Sequence, residues 1–170
     1  LILDLTSLLT GQQPKDKMNW GEALSLWNIG RFKNIGLTIT EFFLAQAKDV
    51  ELKKSLNLGV EMLIIPHIEK IQVFMHKEGL EVPAVPQRKN LDIIGKNDEP
   101  NTYIQDDEIA NTVKDIYKFG LSLDMNGLSE STRDDIRELI WEILSDDYKG
   151  YDAMIKLHRK KNWLIPPPTV

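Results

Sequence analysis

The sequence predicts an all-α fold, a four-helix bundle made of two helical hairpins. Apolar residues recur at helical spacing through four long stretches, and cap signatures mark where these stretches begin and end. A proline- and glycine-bearing connection separates the first pair from the second, and its length calls for a crossover between parallel helices. The expected order is therefore up, down, down, up. With 170 residues, 42% of them hydrophobic, the chain is long enough for one sizeable core and short for two, so residues 1–170 are read as one domain.

Leu1 to Thr10 reads as a short extra helix closed by Gly11. The first long helix starts near Asn19, whose side chain suits an N-cap and has Glu22 three residues on for a capping box. Its stripe is taken as Trp20, Leu24, Trp27, Phe32, Ile35, Ile39 and Phe42. The second runs from a cap at Asp49 to Gly79, with Leu52, Leu56, Val60, Leu63, His67, Ile71 and Phe74 on its stripe. Pro66 lies inside it and predicts a kink, because it removes a backbone donor and crowds the preceding turn. Residues 80–104 show no sustained period and form the crossover.

The third helix begins at Asp106, carries Ile109, Val113, Ile116, Tyr117, Gly120 and Leu121, and is expected to end before Asn126-Gly127. The fourth is expected from Ser131, with Asp134 completing a capping box, to about Asn162, bearing Ile136, Leu139, Ile140, Ile143, Tyr151 and Met154. A shift of 83 residues lays Gly79-Leu80-Glu81-Val82-Pro83 on Asn162-Trp163-Leu164-Ile165-Pro166 and Leu56 on Leu139, which makes the hairpins, about 19–83 and 105–166, pseudo-repeats. The same shift sets His67 against Gly150, so the imidazole is expected to use the space a missing side chain leaves there.

Composition narrows the function. A net charge of -5 lacks the basic footprint that nucleic acid binding needs, and no apolar run is long enough for a membrane span. The start, Leu1-Ile2-Leu3-Asp4-Leu5, lacks a positive leader and does not read as a secretion signal. Without cysteine there are no disulfides, thiolate nucleophiles or sulfur-bound metals.

A bundle of this connectivity raises di-iron chemistry, which needs Glu-x-x-His on two helices. Ile64, Val73 and Ile155 stand three residues before His67, His76 and His158, so that motif is missing. No metal ligands and no cofactor are assigned. Glu22, Glu41, Glu61, Glu138 and Glu142 are read as solvated charges at stripe edges, and Asp146-Asp147 as a solvated face. No nucleotide loop and no G-x-S-x-G elbow occurs, and no catalytic residue is assigned. His67, Gly150 and Trp27 mark an interior pocket, with His67 expected to be a core histidine bonded to a tyrosine or carbonyl. Trp163, Leu164 and Ile165 form an apolar strip that either folds back on the bundle or docks onto another subunit.

Leu24-Ser25-Leu26-Trp27, Phe42-Phe43, Asp49-Val50-Glu51-Leu52-Lys53 and Gly79-Leu80-Glu81-Val82-Pro83 together resemble the ferritin-like bundles of endospore-forming bacteria ascribed to the spore coat, akin to coat protein F. The likeness spans residues 20–83 and extends more weakly into the second hairpin. It implies a ferritin-like fold, a cytoplasmic or spore-coat location and no catalytic residues to carry over. Members often hold two tandem bundles, whereas this chain has room for one. The function expected is that of a noncatalytic structural or protein-interaction bundle, meeting copies of itself or other coat proteins. The alternative is a small-molecule or metal-binding ferritin-like protein that uses the space around His67 and Gly150.

Overall fold

The computed structural model describes residues 17–90 and 104–164. Its helices are α1 (Trp20–Gln46), α2 (Val50–Gly59), α3 (Ile65–Lys77), α4 (Asp106–Glu130) and α5 (Asp134–Lys161). A π-helical turn, Val60–Ile64, joins α2 and α3 into one rod. No strand occurs among the described residues. The short helix expected over residues 1–10 lies outside them.

The helix ends establish the topology. Glu22 in the first turn of α1 accepts from the backbone N–H groups of Thr132 (2.8 Å) and Arg133 (2.9 Å), just before α5. Asp106 opens α4 and accepts from the N–H groups of Lys48 (2.8 Å) and Asp49 (2.9 Å), just before α2. Each hairpin thus binds the turn of the other. Arg133 forks onto Glu78 after α3, and Lys161 at the end of α5 pairs with Asp49. These contacts set α1 and α5 running one way and the α2–α3 rod and α4 the other. The order is up, down, down, up, with α1 diagonally across from α5.

The crossover leaves along α1. Asn34 donates to Pro83 and Ala84, and further on Arg88 pairs with Glu41 and Glu61 while the Lys89 N–H reaches Glu41. Gly79 (φ 73°) and Asn162 (φ 59°) both turn left-handed. The bonds Leu80 N–H to Met75 O (3.0 Å) and Trp163 N–H to His158 O (2.9 Å) close their helices alike. The 83-residue shift relates these two closures atom for atom.

Three expectations need correction. First, α4 does not end before Asn126 but continues to Glu130. Gly127 within it lets α4 approach closely, since a Cβ there would lie 3.2–3.3 Å from Ile29, Ile140 and Ser25. Second, α5 begins at Asp134 with no side-chain cap, and Glu22 from α1 instead takes the Thr132 and Arg133 N–H groups just ahead of it. Third, the core face of α1 is Leu26, Ile29, Leu37 and Phe43, while Trp20, Leu24, Ile35 and Phe42 face outward.

The fault at Pro66 is a π turn rather than a simple kink. Ile65 bonds back five residues to Val60, which inserts extra backbone just before the residue that has no N–H. The added residue rotates the rod, so Ile68 and Met75 join the core with Ile71, and Leu63 and Phe74 sit at its edge.

Candidate functional site

Midway along the bundle each helix places an ionisable side chain on its inner stripe. Lys33 comes from α1, His67 from α3, Asp124 from α4 and Asp147 from α5, and none is more than 5% exposed. Lys33 Nζ donates to Asp147 Oδ2. His67 Nδ1 lies 3.5 Å from Asp147 Oδ1, and its Nε2 lies 3.5 Å from Asp146 Oδ2, ion-pair distances but long for hydrogen bonds. Both ring nitrogens and Asp124 Oδ2 lack a hydrogen-bond partner among the described residues.

Burial sets the protonation of this layer. It holds the His67 imidazole down at about 4, with the Lys33 charge acting the same way and Asp147 and Asp146 opposing. It pushes the Asp124 carboxyl up to about 7, Lys33 opposing and Asp147 adding to the rise. Asp146 is half-buried and is lowered, chiefly by Lys149. Near neutral pH the buried imidazole is thus uncharged, and it lies beside the Lys33–Asp147 ion pair.

Tyr117 of α4 completes the layer, its hydroxyl raised by burial and by Asp147. The space beside Gly150 belongs to this ring: a Cβ there would fall 2.7–2.8 Å from its atoms. His67 therefore does not fill it, contrary to the repeat-based expectation, and faces α5 one turn earlier. A Cβ on Gly59 would lie 3.1 Å from the same hydroxyl, so glycines on two helices make way for one phenol. The adjoining cavity, lined by Lys33, Tyr117, Asp147 and apolar groups, measures about 40 Å³. That is room for a water or two and far less than an organic ligand needs.

The donors do not fit a metal pair. Asp146 and Asp147 approach opposite edges of the imidazole, and the Lys33 ammonium stands at the inner carboxylate. No group of three or more His, Asp or Glu able to hold an ion occurs among the described residues. Asp147 is buried rather than solvated. So are Glu22 and Glu41, which accept backbone N–H bonds and, for Glu41, the Arg88 guanidinium.

The second unusual feature is the outer side of α1. Of its four charged residues, Glu22, Lys33 and Glu41 are buried, and Arg31 alone is exposed. Around it stand Trp20 (92% exposed), Leu24 (59%), Ile35 and Phe42. Trp27, expected in the interior, instead lines a groove of about 500 Å³ on this side, with Arg31, Ile35, Ile39 and the segment from Pro83 to Pro86. The C-terminal strip divides. Trp163 packs on the core cluster of Phe43, Leu52 and Ile109, edge-on to His158 with centroids 6.4 Å apart. Leu164 is half-buried, and Ile165 lies outside the described residues.

The profile of the family described as "Protein of unknown function (DUF3231)" matches residues 6–170. The Bacillus subtilis (strain 168) protein YvdQ, described as uncharacterized, is 24% identical over 163 residues, 95% of this chain and 94% of that one. A crystal structure from Bacillus halodurans C-125, titled "a putative spore coat protein", superposes with a TM-score of 0.82 at 22% identity, over 91% of this chain and 96% of that one. A two-domain protein from Anabaena variabilis with DJ-1/ThiJ/PfpI-like and ferritin-like domains superposes with a TM-score of 0.66 at 17% identity, over 88% of this chain and 39% of that one. At these identities the structural likeness establishes the ferritin-like fold.

Proposed function

Because the chain belongs to the DUF3231 family, whose description names no activity, we propose its role from its own surface: a noncatalytic structural bundle that acts through protein contacts in the spore coat of an endospore-forming bacterium. The observation that carries this reading is α1. A helix apolar on all sides is one that neighbours cover all round. The other helices cover the side holding Leu26, Ile29 and Leu37, and the crossover flanks it at Asn34 and Glu41, while the outermost side, with Trp20, Leu24, Ile35 and Phe42 exposed, keeps Arg31 as its single charge. The name of the Bacillus halodurans relative supports the coat as the setting.

The ligand-binding alternative has less behind it. The interior cavity is too small for an organic substrate, and its buried charges are matched to one another.

The experiment is fractionation of spores made by the host. Wild-type chain is expected in the coat extract after salt washing, and a Leu24→Glu/Ile35→Glu variant, altered only at outward positions, is expected to be lost from it while keeping its helical circular dichroism. Equal retention of the folded variant would sink the reading.

A further inference from the structure

Resting on the reading that this chain works through protein contacts, we propose that the outer face of α1 receives the outer face of α5 from a second copy, so that copies add head to tail. The α5 face displays Trp141 (59% exposed) and Tyr148 (61%) with the exposed carboxylate of Glu138. Spacings of three and seven residues place all three on one side of the helix. Its other acids there, Asp134 and Asp152, are paired within the helix to Arg137 and Lys156. The α1 face is apolar around the cation Arg31. One face therefore offers what the other lacks.

The bundle makes the match usable. α1 and α5 are of nearly equal length, 27 and 28 residues, and lie diagonally opposite, so their outer faces point away from each other. They also run in the same direction, and a neighbour related by translation lays its α5 parallel to α1. With Glu138 set beside Arg31, the spacings along the two helices bring Trp141 to Ile35 and Tyr148 to Phe42 within one residue. Such a contact uses a different patch on each partner and leaves both patches free at the ends, which builds an open string rather than a closed dimer.

Charge argues for this pairing over α1 on its own twofold mate. The stripe from Trp20 to Phe42 is centred on Arg31, so an antiparallel α1 pair would set two guanidinium groups together. The chain carries a net charge of -5, and copies repel one another least where one of them presents its acid-free face.

Sedimentation velocity of the purified full chain over a range of concentrations at low salt tests the contact. Wild type is expected to grow past dimer with concentration. Arg31→Glu and Glu138→Arg should each weaken association by roughly tenfold or more, and the double reversal should restore it. Thermal unfolding confirms that each variant folds. Wild type that stays monomeric overturns the proposal, as does a double reversal no better than either single change, or a dimer indifferent to Glu138→Arg. A monomer still lost from coat extracts when it carries Leu24→Glu/Ile35→Glu would sink the self-contact and leave the coat reading standing. String-forming chains that never enter the coat would sink the coat reading alone.

Discussion

Glu22 shows how much one side chain can hold. Fully buried, it is pushed up by desolvation, yet the N–H groups of Asn19, Arg133 and Thr132 outweigh that and leave it below the ordinary glutamate value. Its contribution is present above the unfolded glutamate value and is lost as pH falls through its lowered native one. Glu22→Ala strands those donors and is expected to cost about 3 kcal/mol in urea unfolding at pH 7. Lys33→Met leaves Asp147 buried without its partner, a loss of roughly 3–5 kcal/mol, and Lys33→Met with Asp147→Leu is expected to recover much of it.

His67 and Asp124 make opposite contributions to pH dependence. From 6.5 down to about 4 the unfolded chain protonates His67 and the native chain does not, so acid destabilises. From 3.8 up to about 7 the native chain keeps a proton on Asp124 that the unfolded chain releases, so acid stabilises. In the shared window the two slopes cancel. Asp124→Asn should therefore expose the histidine slope, a loss of about 3 kcal/mol on acidifying through it. His67→Gln should expose the reverse slope, a gain of similar size. Unfolding curves at several pH values measure both, and a flat profile in both variants would show that neither proton is displaced.

At the scale of the elements, two glycines and one tyrosine decide how closely α2, α4 and α5 pack. Gly150→Ala drives a methyl into the Tyr117 ring and is expected to cost about 2 kcal/mol or more. Gly59→Ala meets only the hydroxyl, so the milder loss it causes should vanish when Tyr117→Phe is added, as a thermal-unfolding cycle would read. The π turn belongs to the same account. It absorbs the backbone fault at Pro66, and beyond it Ile68 is buried beside His67, which helical spacing already places inside.

For the whole molecule, the reciprocal caps tie the hairpins at both ends, Glu22 at one and Asp106 at the other. Trp163 is held against the core cluster of Phe43, Leu52 and Ile109 beside Lys161, whose ammonium lies 6.0 Å from the ring centroid. Removing residues 163–170 is therefore expected to lower stability by about 1–2 kcal/mol, from the lost burial of one large aromatic, and to leave self-association through α1 unchanged. Loss of association without loss of stability in that truncation would move the contact from α1 to the tail.

Local sequence signals were enough for four long helical stretches, the crossover and the up, down, down, up order, but not for the end of α4 or the start of α5. Asn19 with Glu22, Asp49, Gly79 and Asn162 act through bonds to their own near neighbours, and apolar spacing alone marks most of the inner stripes. The same rule reaches the polar layer: Lys33, Asp124 and Asp147, like His67, each continue an inner stripe at three- or four-residue steps. What the tertiary structure alone decided is which side of α1 is inside, because a helix apolar all round has no preferred face until its neighbours are placed. It also decided that a glutamate from one hairpin caps the other, and that carboxylates of α5 meet a histidine of α3. Those partners lie about 80 to 110 residues apart in sequence, beyond the reach of any spacing rule.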